Sequence, residues 1–190
     1  MQALKDKVLH EGYNLGRGIL KVDSFINHQV DPQLMDACGA EFARLFAAQK
    51  PTRVLTAEIS GIAPALMAAR HLGIPVVYAR KTKPITMPGT VYLTTAPSHT
   101  KGVMTDLIVS PEYLCCGERV LIVDDFLASG NTILGLVRLA EAAGAQVVGV
   151  GALLEKTFEG GREALAYLNV PIHSLVRIIR MDEQGIFLAD

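Results

Sequence analysis

The sequence predicts an α/β fold, with a central parallel sheet flanked by helices. Three observations predict it: short apolar runs without polar alternation, amphipathic segments at helical spacing between them, and a strand, helix, strand order that occurs twice. Continuous apolar runs mark strands buried on both faces, so helices must cover each side of the sheet. Right-handed crossovers join such strands.

Each element follows from local chemistry. Leu34, Cys38, Phe42, Leu45 and Phe46 recur at helical spacing with Asp36, Glu41 and Arg44 opposite, and Asp31-Pro32 supplies an N-cap and a first-turn proline, so 31–48 reads as a helix. The apolar run 53–57 is a strand, followed by Glu58-Ile-Ser-Gly61 and a helix over 64–72 that Gly73 stops. Residues 75–80 form a second buried strand; 119–123, 133–143 and 147–154 repeat the pattern as strand, helix and strand. Between the two units, two alternating segments, 90–96 and 104–110, flank Pro97-Ser-His-Thr-Lys-Gly102. They predict a two-stranded arm with a mobile tip, and an excursion as long as 82–117 is expected to be a lid. No repeat or linker divides the chain, which reads as one domain over 1–190.

Composition excludes several classes. Half of the 190 residues are apolar and 19% are charged, which excludes a disordered polar chain, and the apolar run 147–154 is far too short for a membrane span. Eighteen basic against 19 acidic side chains leave a net charge of −1, so no basic footprint for nucleic acid or anionic membrane exists. Any anionic ligand must be captured locally. Cys38, Cys115 and Cys116 form neither a disulfide framework nor a metal spacing and read as small hydrophobes in a reducing cytoplasm, and the N-terminus lacks the pattern of a signal peptide. The five histidines show no metal spacing either.

The informative segment is VLIVDDFLASGNT, residues 120–132. A buried strand delivers Asp124 and Asp125 to its C-terminal edge, where open α/β sheets bind ligands. The small, hydroxyl-bearing loop Ala128-Ser129-Gly130-Asn131-Thr132 then opens a helix whose free amides and positive dipole end suit a phosphate. Gly130 allows close backbone approach, and Ser129 and Thr132 add hydroxyl donors. Carboxylates accept hydrogen bonds from vicinal hydroxyls while amides donate to phosphate, so the pattern suits a sugar phosphate. It fits neither a P-loop nor a dinucleotide fingerprint. After the first strand, Ser60 and Gly61 again expose backbone amides. Arg80, Lys81 and Lys83 follow the second strand, and Lys101 rides on the arm tip; each is either a ligand charge or solvated surface.

The apolar run, the Asp-Asp pair and the Ser-Gly-Asn-Thr loop together resemble the phosphoribosyl diphosphate (PRPP) signature of type I phosphoribosyltransferases. The likeness runs through ILKVDSFINH at 19–28, EISGI at 58–62, YARK at 78–81 and LEKTFEGGR at 154–162, and is nearest to the bacterial xanthine enzymes of purine salvage. The resemblance implies a type I phosphoribosyltransferase fold with a small hood, from about 1–30 and the C-terminal part, and a flexible lid. It implies transfer of the phosphoribosyl group of PRPP to xanthine, giving xanthosine 5′-monophosphate and diphosphate. Asp124 and Asp125 then hold the ribose, directly or through magnesium-bound water; Ala128, Ser129, Gly130, Asn131 and Thr132 hold the 5′-phosphate. Ser60, Gly61, Arg80 and Lys81 are placed for the diphosphate, and Leu20, Asn27 and Lys156 for xanthine. Magnesium is implied without a protein cage, as are a cytoplasmic location and a homodimer. Phe158 packs either on the base or in the core. Guanine or hypoxanthine specificity, and a PRPP-sensing regulator, are the alternatives, although too few residues precede the core for a DNA-binding module.

Overall fold

A computed structural model describes residues 1–87, 89–97 and 104–189. The chain begins with helix α1 (Gln2–Glu11), the two-residue strands β1 (Tyr13–Asn14) and β2 (Leu20–Lys21), and a single π-helical turn over Asp23–Asn27. Helix α2 (Pro32–Phe46) starts where expected: the Asp31 side chain accepts from the amides of Gln33 and Leu34, with Pro32 in the first turn. Strand β3 (Arg53–Ala57), helix α3 (Ile62–Leu72) and strand β4 (Val76–Ala79) form the first unit, and Gly73 ends α3 in a left-handed conformation at φ 69°. The arm consists of antiparallel β5 (Tyr92–Pro97) and β6 (Met104–Val109). The second unit is β7 (Arg119–Leu127), α4 (Asn131–Ala142) and β8 (Gln146–Lys156), followed by α5 (Gly161–Ala164), β9 (Ile172–Asp182) and β10 (Gly185–Leu188).

The main sheet has six strands in the order β10-β9-β8-β7-β3-β4. It is parallel from β4 through β9, but β10 pairs antiparallel with β9, so the expected parallel sheet carries an antiparallel edge. A tight turn at Gln184 allows only an antiparallel return, since a parallel strand needs a crossover. One apolar cluster on the sheet joins Leu4, Val8, Cys38, Phe42 and Phe46 to Leu121, Val123 and Leu153. The other joins Ile133, Leu136, Val137 and Leu139 of α4 to Leu55, Val120, Ile122 and Val150. The strands are covered on both faces, which is why they read as unbroken apolar runs.

The N-terminal segment packs on the C-terminal hairpin. Lys5 Nζ donates to the Ala189 carbonyl at 2.8 Å and Asn14 Nδ2 to the Asp182 carbonyl at 2.9 Å. The base of the arm is fastened to α4: Arg138 donates to Thr94 Oγ1 at 2.9 Å and to the Thr95 carbonyl at 2.8 Å, and Leu107 and Ala96 are buried. The expected mobile tip, with His99 and Lys101, lies outside the described residues. Of the three cysteines read as small hydrophobes, Cys38 is buried and burial pushes its thiol up to about 12, whereas Cys115 and Cys116 are exposed. Both lie in the turn that precedes β7, on the surface.

Candidate active site

The site lies where the sheet reverses its direction of winding. From β3 the chain moves outward to β4, and from β7 it moves the other way to β8 and β9. Strands β3 and β7 pair only over Arg53–Leu55 and Val120–Ile122, whereas β7 stays on β8 as far as Leu127 opposite Glu155. Beyond Leu55 and Ile122 the two strands part. A crevice at such a switch point, outside the carboxyl ends of the strands, is the expected ligand site of an open α/β sheet.

The cleft there has a volume of about 330 Å³. Asp124 and Asp125 enter it from β7, and Ala128, Ser129, Gly130, Asn131 and Thr132 form the wall where α4 begins. Ser60 and Lys81 enter from beyond β3 and β4, while Leu20, Asn27 and Lys156 close the end nearest the N-terminal segment. Twelve of the fourteen residues singled out from the sequence thus line one cavity. Gly61 lies directly behind it, since a Cβ there would sit 2.5 Å from Asp124 Oδ1 and 2.3 Å from Thr56 Oγ1.

Arg80 is a correction: the structure places it outside the cleft. Its Nε donates to Glu58 Oε2 at 2.8 Å, its guanidinium lies 5.9 Å from the centre of the Tyr78 ring, and it lines a separate cavity with Arg53 and Tyr113. Successive residues of an extended chain point to opposite sides, so Lys81 faces the cleft and Arg80 cannot. Glu58 spans the two, because its other oxygen accepts from the Lys81 amide at 2.5 Å. Phe158 is half exposed, outside both core clusters, and does not line the cleft.

Electrostatics differ along the cleft. Asp124 is 5% exposed; burial, and then the neighbouring charge of Asp125, pushes its carboxyl well above the usual carboxylate range. Its Oδ1 accepts from the Asp125 amide at 3.0 Å. At the other wall no side chain caps α4; Gly130, left-handed at φ 81°, holds the N-cap position, and Asn131 Nδ2 donates to Ser129 Oγ at 3.0 Å. In α2 the Asp31 side chain occupies the first amides, whereas those that open α4 receive no side-chain cap among the described residues. At the third end, Lys156 is 5% exposed, and its Nζ donates to the Gly18 carbonyl at 2.6 Å, lies 3.2 Å from Glu159 Oε1 and sits 5.4 Å from the centre of the Phe126 ring. Two of the ammonium's three donors are thereby engaged, leaving one for the cleft.

Sequence reasoning missed Ile19 and Phe126, and Ala96, Pro97, Thr105 and Leu107 of the arm, all of which line the cavity. For Phe126 the only signal was its place directly after the acidic pair. The arm residues had none, because their facing depends on how β5 and β6 lie against α4. No group of three or more His, Cys, Asp or Glu side chains able to hold a metal exists among the described residues. Two adjacent carboxylates beside an uncapped helix end do fit a magnesium ion that keeps most of its waters and takes further oxygens from a phosphorylated substrate.

Comparison with known proteins agrees with this geometry. The phosphoribosyl transferase domain model matches residues 29–167. The xanthine phosphoribosyltransferase of Deinococcus deserti is 50% identical over 190 residues, covering 100% of this chain and 98% of that protein. That of Geobacillus thermodenitrificans is 48% identical over 183 residues, covering 96% and 94%. Among solved structures, adenine phosphoribosyltransferase from Thermoanaerobacter pseudethanolicus superposes with a TM-score of 0.75 at 25% identity, covering 92% of this chain and 99% of that one. The Rhodothermus marinus enzyme of that name gives 0.74 at 26%, covering 93% and 98%. Matched by that domain model over residues 29–167 and by these relatives over nearly its whole length, the chain belongs to the phosphoribosyltransferase family.

Proposed function

We propose that this cleft transfers the phosphoribosyl group of PRPP to xanthine, releasing xanthosine 5′-monophosphate and diphosphate. The observation that carries the reading is the meeting, in one cavity, of Asp124 and Asp125, the uncapped loop 128–132 and the Lys156 ammonium. The bond from C1 of the ribose to the diphosphate oxygen breaks, and a bond from C1 to a purine nitrogen forms as that nitrogen loses its proton.

The chain's own residues divide the task. Backbone amides of Ala128 to Thr132, with the hydroxyls of Ser129 and Thr132, hold the 5′-phosphate at the positive end of α4. Asp124 and Asp125 accept hydrogen bonds from the ribose hydroxyls and stabilise positive charge that develops at C1, in a site where fixed charges act strongly. Ser60, the Gly61 backbone and Lys81 receive the diphosphate from the opposite side. Arg80 takes no direct part; through Glu58 it fixes the loop that carries Ser60. Asp124 and Asp125 would help hold magnesium through its waters, and the ion would supply positive charge against the leaving diphosphate.

The base end favours xanthine over adenine. The free Lys156 donor and the Asn27 amide are suited to the oxo groups of xanthine, and Leu20 supplies an apolar wall. Adenine would present an amino donor to an ammonium and leave it unpaired. The named relatives act on xanthine at 48–50% identity, whereas the adenine enzymes share the fold at 25–26%. We read the chain as one domain, with the N-terminal segment and the β9–β10 hairpin as its hood and the arm as its lid. It acts in the cytoplasm as a homodimer, a reading supported by the family likeness and three free cysteines. No helix among the described residues is long and apolar enough to cross a membrane.

The test is direct. With PRPP, xanthine and magnesium the protein should form xanthosine 5′-monophosphate and diphosphate in equal amounts, and Asp125→Asn should lose about a hundredfold in turnover while its Tm moves by less than about 2 °C. No nucleotide from the parent protein would overturn the reading; an equally active variant would remove Asp125 from it.

A further inference from the structure

The segment 154–162 borders the cleft, yet only Lys156 of it has a role so far. Its neighbour Glu155 is 2% exposed and receives Arg162 through two bonds, Nε at 2.8 Å and Nη2 at 2.6 Å, with Arg177 Nε at 3.5 Å. Burial alone would raise the Glu155 carboxyl, but the hydrogen bonds from Arg162 and the charges of both arginines hold it below the usual range. Arg162 Nη1 also donates to the Ile172 carbonyl at 3.0 Å, so its fork is fixed on two strands.

Arg162 in turn fixes Gly161. A Cβ on Gly161 would lie 2.3 Å from the Ala128 carbonyl oxygen, 2.8 Å from the Gly130 amide nitrogen and 2.8 Å from Leu127 Cδ1. From the other side, a Cβ on Gly130 would lie 3.2 Å from the Gly161 carbonyl oxygen. Backbone therefore rests on backbone, with no room for a side chain at 161. The register of β7 on β8 sets Leu127 opposite Glu155, so the ion pair stands immediately behind the loop.

We propose that Gly161, held by the Glu155–Arg162 pair, is a buttress that sets loop 128–132 in the shape that receives the 5′-phosphate. This rests on the reading of that loop as the phosphate cradle. Glu155, Gly161 and Arg162 are positioning residues and touch no substrate. A phosphate cradle needs its amides aimed within a fraction of an ångström, and a loop of small residues cannot hold that shape unaided. The glycine supplies contact at backbone distance, and the bidentate pair stops it from backing away.

Ribose 5-phosphate, which carries the phosphate without the diphosphate, separates this proposal from the one beneath it. Its binding to the parent protein and to Gly161→Ala, followed by calorimetry, should weaken at least tenfold in the variant. In steady-state turnover the KM for PRPP should rise at least tenfold while the KM for xanthine stays within about twofold, a split that general loosening of the fold would not produce. Where Gly161→Ala does not fold, Arg162→Lys, which keeps the charge and loses the fork, should weaken ribose 5-phosphate several-fold. Unchanged ribose 5-phosphate binding in the folded variant overturns the buttress and leaves the cradle standing. Failure of the parent protein to bind ribose 5-phosphate overturns the cradle, and the buttress with it.

Discussion

At Asp124 a carboxyl group is buried against a second carboxyl, an arrangement that disfavours its charge in the free protein. In the unfolded chain it ionises near about 3.9, whereas the folded protein keeps the proton to higher pH. The stability it contributes is therefore full below the unfolded value and is lost as pH rises through the folded one. Asp124→Asn never ionises, so without substrate or metal it should melt about 2–4 °C above the parent at pH 8, with the gain vanishing near pH 4. A lower melting point at pH 8 would contradict the burial argument. Lys156 is a buried ammonium with two partners in place. Lys156→Met keeps the stem on Phe126 and removes the donors; the KM for xanthine should rise about tenfold, as for one lost charged hydrogen bond, with that for PRPP within about twofold. Equal rises for both substrates would assign the lysine to the hood alone. Of these residues the acidic pair was legible, because two carboxylates at the end of an apolar strand have no packing reason to be there. Arg80 was misplaced because a run of basic residues does not reveal which of them alternation turns inward.

Among the elements, those that carry the cleft were the legible ones. The strands β3, β7 and β8 are buried on both faces, and α2 announces itself with Asp31 and Pro32. Strand β9 left no such trace, since Arg177 and Arg180 interrupt its apolar residues, and β1 and β2 are too short for any period to show. Yet these silent elements pack together beside the cleft, where the proposed reading puts the hood. The loop after β3 has its own requirement: Gly61 is needed for space, with Asp124 Oδ1 and Thr56 Oγ1 both closer to any Cβ than van der Waals contact allows. Gly61→Ala must push Asp124 aside, so turnover should fall at least tenfold in a variant that still folds. Full activity would mean that Asp124 has freedom the packing denies it.

For the whole molecule the question is how a protein of net charge −1 takes a substrate that carries several phosphate charges. The sheet answers it locally. In the function proposed above, backbone amides, Lys81 and an ion brought with the substrate would meet the anion where β3 and β7 part, so the surface needs no basic excess. The two strand, helix, strand units were legible in sequence, though not the reversal between them that opens this crevice. The antiparallel edge and the seating of the arm were not, because both depend on contacts between distant segments. What the cleft selects is decided at its base end by donors, and that is the central claim. The most direct measurement is kcat/KM for xanthine, guanine, hypoxanthine and adenine in parallel at fixed PRPP and magnesium. Xanthine should exceed each of the others by at least tenfold, with adenine lowest; a preference for adenine, or for a base without a 2-oxo group, would contradict it.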